Sequence, residues 1–174
     1  MSNHTHVRRL AASGLIAAMY AVLSLSLPAL SFGPMQCRVS EALTVLAALM
    51  PEAIPGLAVG CLVTNLVGVG TGANIAGAWD VLFGTAATLA AALLSYAFRA
   101  VRIGRVPWLS LLPPVAVNAV VIGLELTLAV YGRFTWGMFA VQAALVGAGQ
   151  IIPCAVLGVP LYLLAQRALH RKRG

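Results

Sequence analysis

The chain has 174 residues, of which 61% are hydrophobic and only 9% charged. Soluble domains are about half apolar and a quarter charged, so a chain this poor in charge cannot clothe a water-facing surface. Lipid must be its solvent. The formal charge of +7 raises nucleic acid as a partner, but its placement excludes that reading. Nine of the eleven basic residues fall in three short groups beside apolar runs: Arg8 and Arg9; Arg99, Arg102 and Arg105; Arg167, Arg171, Lys172 and Arg173. That is how cytoplasmic anchors are distributed, not a groove-binding stripe.

About 20 apolar residues cross a bilayer as a helix. Taken in chain order, six apolar segments are predicted to be helical. The first covers residues 10–30. It is longer than a signal-peptide core and is read as a retained helix. The second covers residues 40–50; Pro51 and Pro55 then mark a tight turn, and the third runs to about residue 68. Both are short for full crossings, so tilt, shielding by neighbours or some extension is expected. A loop with Gly70, Gly72 and Asn74 leads to the fourth, over residues 80–98; the fifth covers 108–130 and the sixth 138–166. The expected fold is an all-α integral membrane protein, a bundle of six transmembrane helices. Residues 1–9 form a cytoplasmic tail, 10–166 the bundle, and 167–174 a basic cytoplasmic tail. With an even number of crossings, all three basic groups fall on the cytoplasmic side and only Arg38 and Arg133 outside.

Small residues recur every fourth position. The third segment has Gly56, Gly60, Thr64 and Gly68, and the fourth has Gly84, Thr88 and Ala92. The first has Ser13, Ala17 and Ala21, with Gly14 and Ala18 beside them. Such spacing lets helix backbones approach closely in lipid. Packing within the bundle explains the third and fourth segments. On the first, docking of an external partner is a matching explanation. The loop at residues 68–72 is rich in glycine but lacks the Gly-Lys-Ser/Thr of a nucleotide loop, so no ATP site is expected here. Cys37, Cys61 and Cys154 are widely spaced and form no metal or redox motif. No metal, cofactor or catalytic residue is assigned.

Polar residues inside membrane helices are costly and usually functional. Most of them map to the outer half of the predicted bundle. Arg38 and Glu41 open the second segment, and Asn65 lies near the outer end of the third. Asn74, Trp79 and Asp80 lie before and at the start of the fourth; Asn118 and Glu125 are in the fifth, and Gln142 in the sixth. Asn118 and Glu125 are seven positions apart, which puts them close to one helix face. Gln142 and Gln150 are eight apart, about 80° round the helix, and share only a broad face. Convergent polar groups in an apolar surround mark a small-molecule site. Simpler roles exist: Glu41, Asp80 and Glu52 can complement helix dipoles, Trp79, Trp108 and Trp136 can sit at the interface, and Arg38 can pair with Glu41. Glu125 has no oppositely charged partner at helical spacing. Three outer carboxylates facing two arginines favour a neutral or cationic ligand that offers hydrogen-bond donors.

Four stretches carry a family resemblance: Ser31-Phe32-Gly33-Pro34-Met35-Gln36-Cys37-Arg38-Val39-Ser40-Glu41-Ala42-Leu43-Thr44, Pro51-Glu52-Ala53-Ile54-Pro55-Gly56-Leu57, Gly60-Cys61-Leu62-Val63-Thr64-Asn65-Leu66, and Asp80-Val81-Leu82-Phe83-Gly84-Thr85-Ala86-Ala87-Thr88-Leu89. Together they resemble the QueT family across about residues 10–165. The pattern departs at Cys37, where a larger apolar residue is expected. QueT proteins are held to be substrate-binding S components of energy-coupling factor (ECF) transporters for queuosine precursors. The resemblance implies an S-component-like six-helix fold in the cell membrane. It also implies an outward site beneath the loop after the first helix, and a coupling surface on that helix. It implies a 7-deazapurine substrate, and as partners a transmembrane coupling subunit and two ATPase subunits. An S component for another vitamin and a stand-alone secondary transporter are the competing readings. No internal repeat supports the latter. An intramembrane enzyme is disfavoured: His4, His6 and His170 all lie outside the apolar segments, and no nucleophile–base pair appears.

Overall fold

The computed structural model describes residues 3–171; Lys172 and Arg173 of the predicted basic tail lie outside the described residues. The described chain is helical nearly throughout. In order come α1 (Asn3–Ser26), the single turn α2 (Pro28–Ser31), a three-ten helix (Val39–Ala48), α3 (Ala53–Gly70) and α4 (Ala78–Ala97). After the loop that carries Arg99, Arg102 and Arg105 come α5 (Leu112–Tyr131), α6 (Trp136–Ile151), a π-helical segment (Ile152–Leu157) and α7 (Gly158–Arg171). Five stretches are long and apolar enough to cross a membrane: His4–Ser26, Ala53–Gly70, Ala78–Ala100, Trp108–Tyr131 and Trp136–Leu169.

The second predicted segment is thus not a sixth full-length α-helix. It forms a three-ten helix of 10 residues, with everything from Ser40 to Ala48 buried. A three-ten helix rises about 2.0 Å per residue against 1.5 Å in an α-helix, so the same short stretch reaches about 20 Å rather than 15 Å. Its threefold repeat also deals side chains to three neighbours. Leu43, Leu46 and Ala47 join Ile16, Tyr20 and Leu57. Val45 and Ala48 join Leu111 and Tyr162. Glu41 and Thr44, three apart, stack and hydrogen-bond at 2.9 Å. Shielding on every side is what lets a helix this short lie within an apolar bundle.

The three-ten helix is the return path between two parallel helices. A Cβ on Gly56 would meet the Ser13 carbonyl at 2.6 Å, one on Gly60 the Tyr20 Cβ at 2.7 Å, and one on Gly68 the Phe32 ring at 2.5 Å. The small-residue face of α3 is therefore the seam against α1. α4 runs antiparallel to α3, with Thr88 beside Cys61 and Asp80 beside Asn65. α5 and α6 are antiparallel, since Gly123 abuts Ala143 and Gly147 faces Ala119. The sixth predicted segment is one continuous rod with a π-helical step. Pro153 has no N–H and cannot tolerate a regular turn against the carbonyl four residues back, so the helix widens there.

The bundle has two distinct ends. Arg9, on α1, pairs with Glu52 at 2.9 Å, and Ser95 of α4 donates to the Ser110 carbonyl at 2.8 Å. The segments carrying Arg8, Arg9, Arg99, Arg102, Arg105 and Arg167 gather at this Glu52 end. Arg38, Asn74 and Asp80 mark the opposite one.

Candidate functional site

The loop Phe32–Cys37, the start of the three-ten helix and the first turn of α4 meet at the Arg38 end. Arg38 is 2% exposed and Asp80 fully buried. The Arg38 guanidinium forms an ion pair through Nη2 with Asp80 Oδ2, and its Nε donates to the Ser31 carbonyl at 3.1 Å. Asn74 Nδ2 donates to the same Asp80 oxygen at 2.8 Å, while Asn65 Nδ2 donates to the Asp80 backbone carbonyl at 2.6 Å. Gly84, one turn on, has no side chain because a Cβ there would run into Asp80 Oδ1. The structure thus brings Arg38, Asn65, Asn74 and Asp80 together as the sequence suggests, but as a largely self-satisfied cluster. Only Asp80 Oδ1 and Asn65 Oδ1 have no partner.

This arrangement corrects the simple pairing of Arg38 with Glu41. Glu41 lies deeper in the bundle and is held by hydroxyls. Tyr20 Oη donates to its Oε1 at 2.5 Å, Thr88 Oγ1 to the same oxygen at 3.1 Å, and Thr44 Oγ1 to Oε2 at 2.9 Å. One carboxylate thereby ties the three-ten helix to α1 and α4. Arg38 goes to Asp80 because Asp80 is the acid at its own depth, brought there by the antiparallel course of α4.

Glu125 is placed differently. It is 6% exposed, yet neither carboxylate oxygen has a hydrogen-bond partner. It lines a groove of about 450 Å³ between α4 and α5, with Trp79, Phe83, Val120, Val121, Leu124, Leu128 and Ala129 as the other walls. The volume suits a small organic ligand. The Trp79 and Phe83 rings lie 5.8 Å apart and tilted by 30°, a broad aromatic wall beside a single carboxylate. Trp79 is 63% exposed. Two residues singled out separately in the sequence therefore share one groove. Asn118 is buried on α5, two turns from Glu125. Gln142 is also buried; its Nε2 contacts Tyr131 Oη at 3.4 Å and its Oε1 has no partner.

Two further buried residues that the polar-residue reading left out of the site also carry unpartnered polar atoms. Gln36 is 1% exposed, and neither side-chain atom has a partner. Its backbone carbonyl accepts from Gln150 Nε2 at 2.8 Å, and Gln150 Oε1 is itself unpartnered. The signal available was the turn at Gly33-Pro34, which forces the chain to fold back just before Gln36. What it could not reveal is that Gln36 points its amide into the protein. Among the described residues no group of three His, Cys, Asp or Glu could hold a metal ion.

The α1 stripe divides between two tasks. Ser13 and Ala17 turn toward α3, where their backbones meet Gly56 and Gly60. Ser13 Oγ also donates to the Glu52 carbonyl at 2.7 Å. Ala21 is half-buried, whereas Gly14 and Ala18 are exposed, and a Cβ on Gly14 would meet nothing within 4 Å. Half of the predicted coupling face is therefore bundle packing, and the open part is Gly14 and Ala18 with Leu15, Met19 and Val22 around them.

Comparison with known proteins gives one strong result. The sequence model of a family described as QueT transporter matches residues 10–167, nearly the whole chain. No match was found among curated proteins or among solved structures. A match of that length, on a bundle of membrane-spanning apolar helices, is a family assignment: the chain belongs to the QueT transporter family.

Proposed function

We propose that this chain is the substrate-binding S component of an ECF transporter in the cell membrane, and that it imports a queuosine precursor such as a 7-deazaguanine base. The observation that carries the reading is Glu125, a buried carboxylate without a partner in an apolar groove beside Trp79. An unpaired acid within a membrane helix is expensive and is kept where a ligand completes it. A 7-deazaguanine presents a ring N–H and an exocyclic amino group side by side, two donors that one carboxylate accepts together. Its flat ring suits the Trp79–Phe83 wall. Asp80 is the weaker candidate for this role, because Arg38 and Asn74 already occupy one of its oxygens. In this reading Arg38, Asn65, Asn74 and Asp80 shape the mouth of the site. Glu41 holds the bundle, and Asn118 and Gln142 supply polar contacts at its depth.

The basic groups at the Glu52 end support a cytoplasmic position for that end by the positive-inside rule, with the Arg38 end outward and both termini inside in this reading. Energy comes from partners: a transmembrane coupling subunit docking on the Gly14–Ala18 face of α1, and two ATPase subunits bound to it. The test is calorimetry on the purified protein with 7-deazaguanines, guanine, riboflavin and biotin. A charge-assisted hydrogen bond contributes about 1.5–3 kcal/mol, and about 1.4 kcal/mol is one decade of affinity. Glu125→Gln also sets a donor against a donor. The expected loss is at least about tenfold for the preferred base. Unchanged affinity removes Glu125 from the site. Preference for riboflavin or biotin removes the substrate assignment while leaving the S-component reading intact.

A further inference from the structure

The loop between α4 and α5 is built as a fixed tip. Ile103 and Val106 form an isolated antiparallel bridge, in which Ile103 N donates to the Val106 carbonyl at 3.1 Å and Val106 N to the Ile103 carbonyl at 3.5 Å. Gly104 and Arg105 make the turn between them, and Gly104 supplies the positive φ, +64°, that a two-residue hairpin turn needs. Val106 is buried with Val45, Ala48, Leu111 and Tyr162, which clamps the hairpin to the bundle. The rest of the tip is amphipathic and faces outward. Val101, Ile103 and Trp108 are 53%, 72% and 45% exposed, and Arg102 and Arg105 are exposed among them. The neighbouring Arg99 is already engaged: its guanidinium lies 3.7 Å from the Tyr96 ring centre and donates to the Tyr96 carbonyl at 2.7 Å. Arg102 commits only its Nε, to the Arg99 carbonyl at 3.2 Å. Among the described residues neither Arg102 nor Arg105 has an acidic partner. Of the four acids in the chain only Glu52 lies at this end, and Arg9 pairs with it.

We infer that this hairpin is a membrane-surface wedge that binds an anionic phospholipid headgroup through Arg102 and Arg105, with Val101, Ile103 and Trp108 seated at the edge of the acyl chains. The inference goes beyond the transporter reading and does not depend on the substrate. Apolar side chains held outward on a fixed tip need an apolar surround. Directly after α4 reaches the edge of the bilayer, that surround is the lipid interface, where a tryptophan is also at home. Arginine lays its apolar stem along such a surface and carries its charge out to the phosphates. The guanidinium fork matches phosphate oxygens with paired donors. With no free acid at this end of the bundle, the counter-charge comes from outside the chain. A zwitterionic headgroup brings its own cation with its phosphate, whereas an anionic one supplies the net charge that two arginines lack. A protein partner on the open face of α1 does not reach this tip, because α3 packs between α1 and α4.

The experiment places a fluorophore on the tip of the full chain: Ile103→Cys labelled with bimane, in a Cys37→Ser background, since Cys61 and Cys154 are buried. The protein is reconstituted in equimolar phosphatidylcholine–phosphatidylglycerol vesicles in which one lipid or the other carries brominated acyl chains. Brominated lipid should quench the label and aqueous iodide should not. Brominated phosphatidylglycerol should quench at least about twofold more strongly than brominated phosphatidylcholine. Arg102→Gln/Arg105→Gln should bring that ratio to about one; both side chains are exposed, so the fold has nothing to lose. Arg8→Gln/Arg167→Gln removes the same charge from the other basic groups of this end and should leave the ratio unchanged. Quenching by iodide but by neither lipid overturns the inference, because the tip then stands in water. Equal quenching by the two lipids in the unsubstituted hairpin, or a ratio that survives Arg102→Gln/Arg105→Gln, overturns the headgroup contact. Lipid quenching that is lost when the proposed coupling and ATPase subunits are co-reconstituted assigns the tip to a protein partner and overturns it as well. None of these outcomes touches the substrate assignment, which calorimetry tests separately.

Discussion

Replacing Asp80 with asparagine tests what holds the Arg38 end together. The substitution keeps the shape of the side chain and an acceptor for Asn74, but leaves the Arg38 guanidinium, 2% exposed, without its counter-ion. Removing one partner of a buried ion pair costs about 3–5 kcal/mol, because the other charge is stranded. At about 1.4 kcal/mol per decade, the folded-to-unfolded ratio should drop by roughly 10²- to 10⁴-fold. Arg38→Met should cost less. A stranded carboxylic acid can take up a proton and become neutral, whereas a guanidinium stays charged. It also forfeits the bond to the Ser31 carbonyl, worth about 1 kcal/mol. The double variant Asp80→Asn/Arg38→Met carries no stranded charge and should recover to within about 1–2 kcal/mol of the wild type, since well-packed apolar replacements of buried pairs are often near neutral. The assay is equilibrium unfolding in mixed micelles, followed by circular dichroism, for all four proteins. The expected order of destabilisation is Asp80→Asn, then Arg38→Met, then the double variant. A double variant as unstable as Asp80→Asn alone would refute the reasoning, because it would show that the damage lies in packing rather than in charge.

Three further outcomes are expected. Ala18→Trp should abolish uptake in cells while leaving ligand binding by the isolated protein intact, because Ala18 lies on the open face of α1; Ala17→Trp should instead destabilise the protein itself, because Ala17 meets Gly60 of α3. Normal uptake with Ala18→Trp would remove this face from coupling. Gly84→Ala should weaken the Arg38 cluster by displacing the Asp80 carboxylate and should lower the stability read by equilibrium unfolding by about 1–3 kcal/mol, on the scale of overpacking in a tight core. Single cysteines near Arg133 and Asn74 should react with impermeant reagents on intact cells, and one at Arg102 should not; labelling at position 102 would invert the orientation.

Some of this was legible without coordinates because it depends on composition and local pattern. Apolar runs of bilayer length mark helices wherever they occur, so α1, α3, α4, α5 and the α6–α7 rod fall close to their expected places. The fourfold spacing of Gly56, Gly60 and Gly68 likewise carries its own meaning, since only small residues let two backbones meet in lipid. The convergence of Arg38, Asn65, Asn74 and Asp80 followed from helix ends falling at one level. The family resemblance added the transporter class, which no count of apolar residues could supply.

The tertiary structure decided the rest, and in each case the deciding neighbour is far away in sequence. Ala42, Leu43, Leu46, Ala47 and Ala48 are good α-helix formers, yet the segment is three-ten. It has to reach between the ends of two parallel helices and share its faces among neighbours on several sides. Arg38 has an acid three residues on in Glu41 but pairs with Asp80, because the hydroxyls of Tyr20, Thr44 and Thr88 occupy Glu41. The stripe on α1 reads as one surface until α3 covers Ser13 and Ala17 and leaves Gly14 and Ala18 open. Gln36 gives no sign in the sequence of its positive φ or its unpaired amide; its carbonyl is taken by Gln150, and Met35 beside it packs against Gly149, both more than a hundred residues downstream. Hydropathy is a property of a segment and can be read from it, whereas the partner of a buried polar group is chosen by whichever helix the fold brings to the same depth.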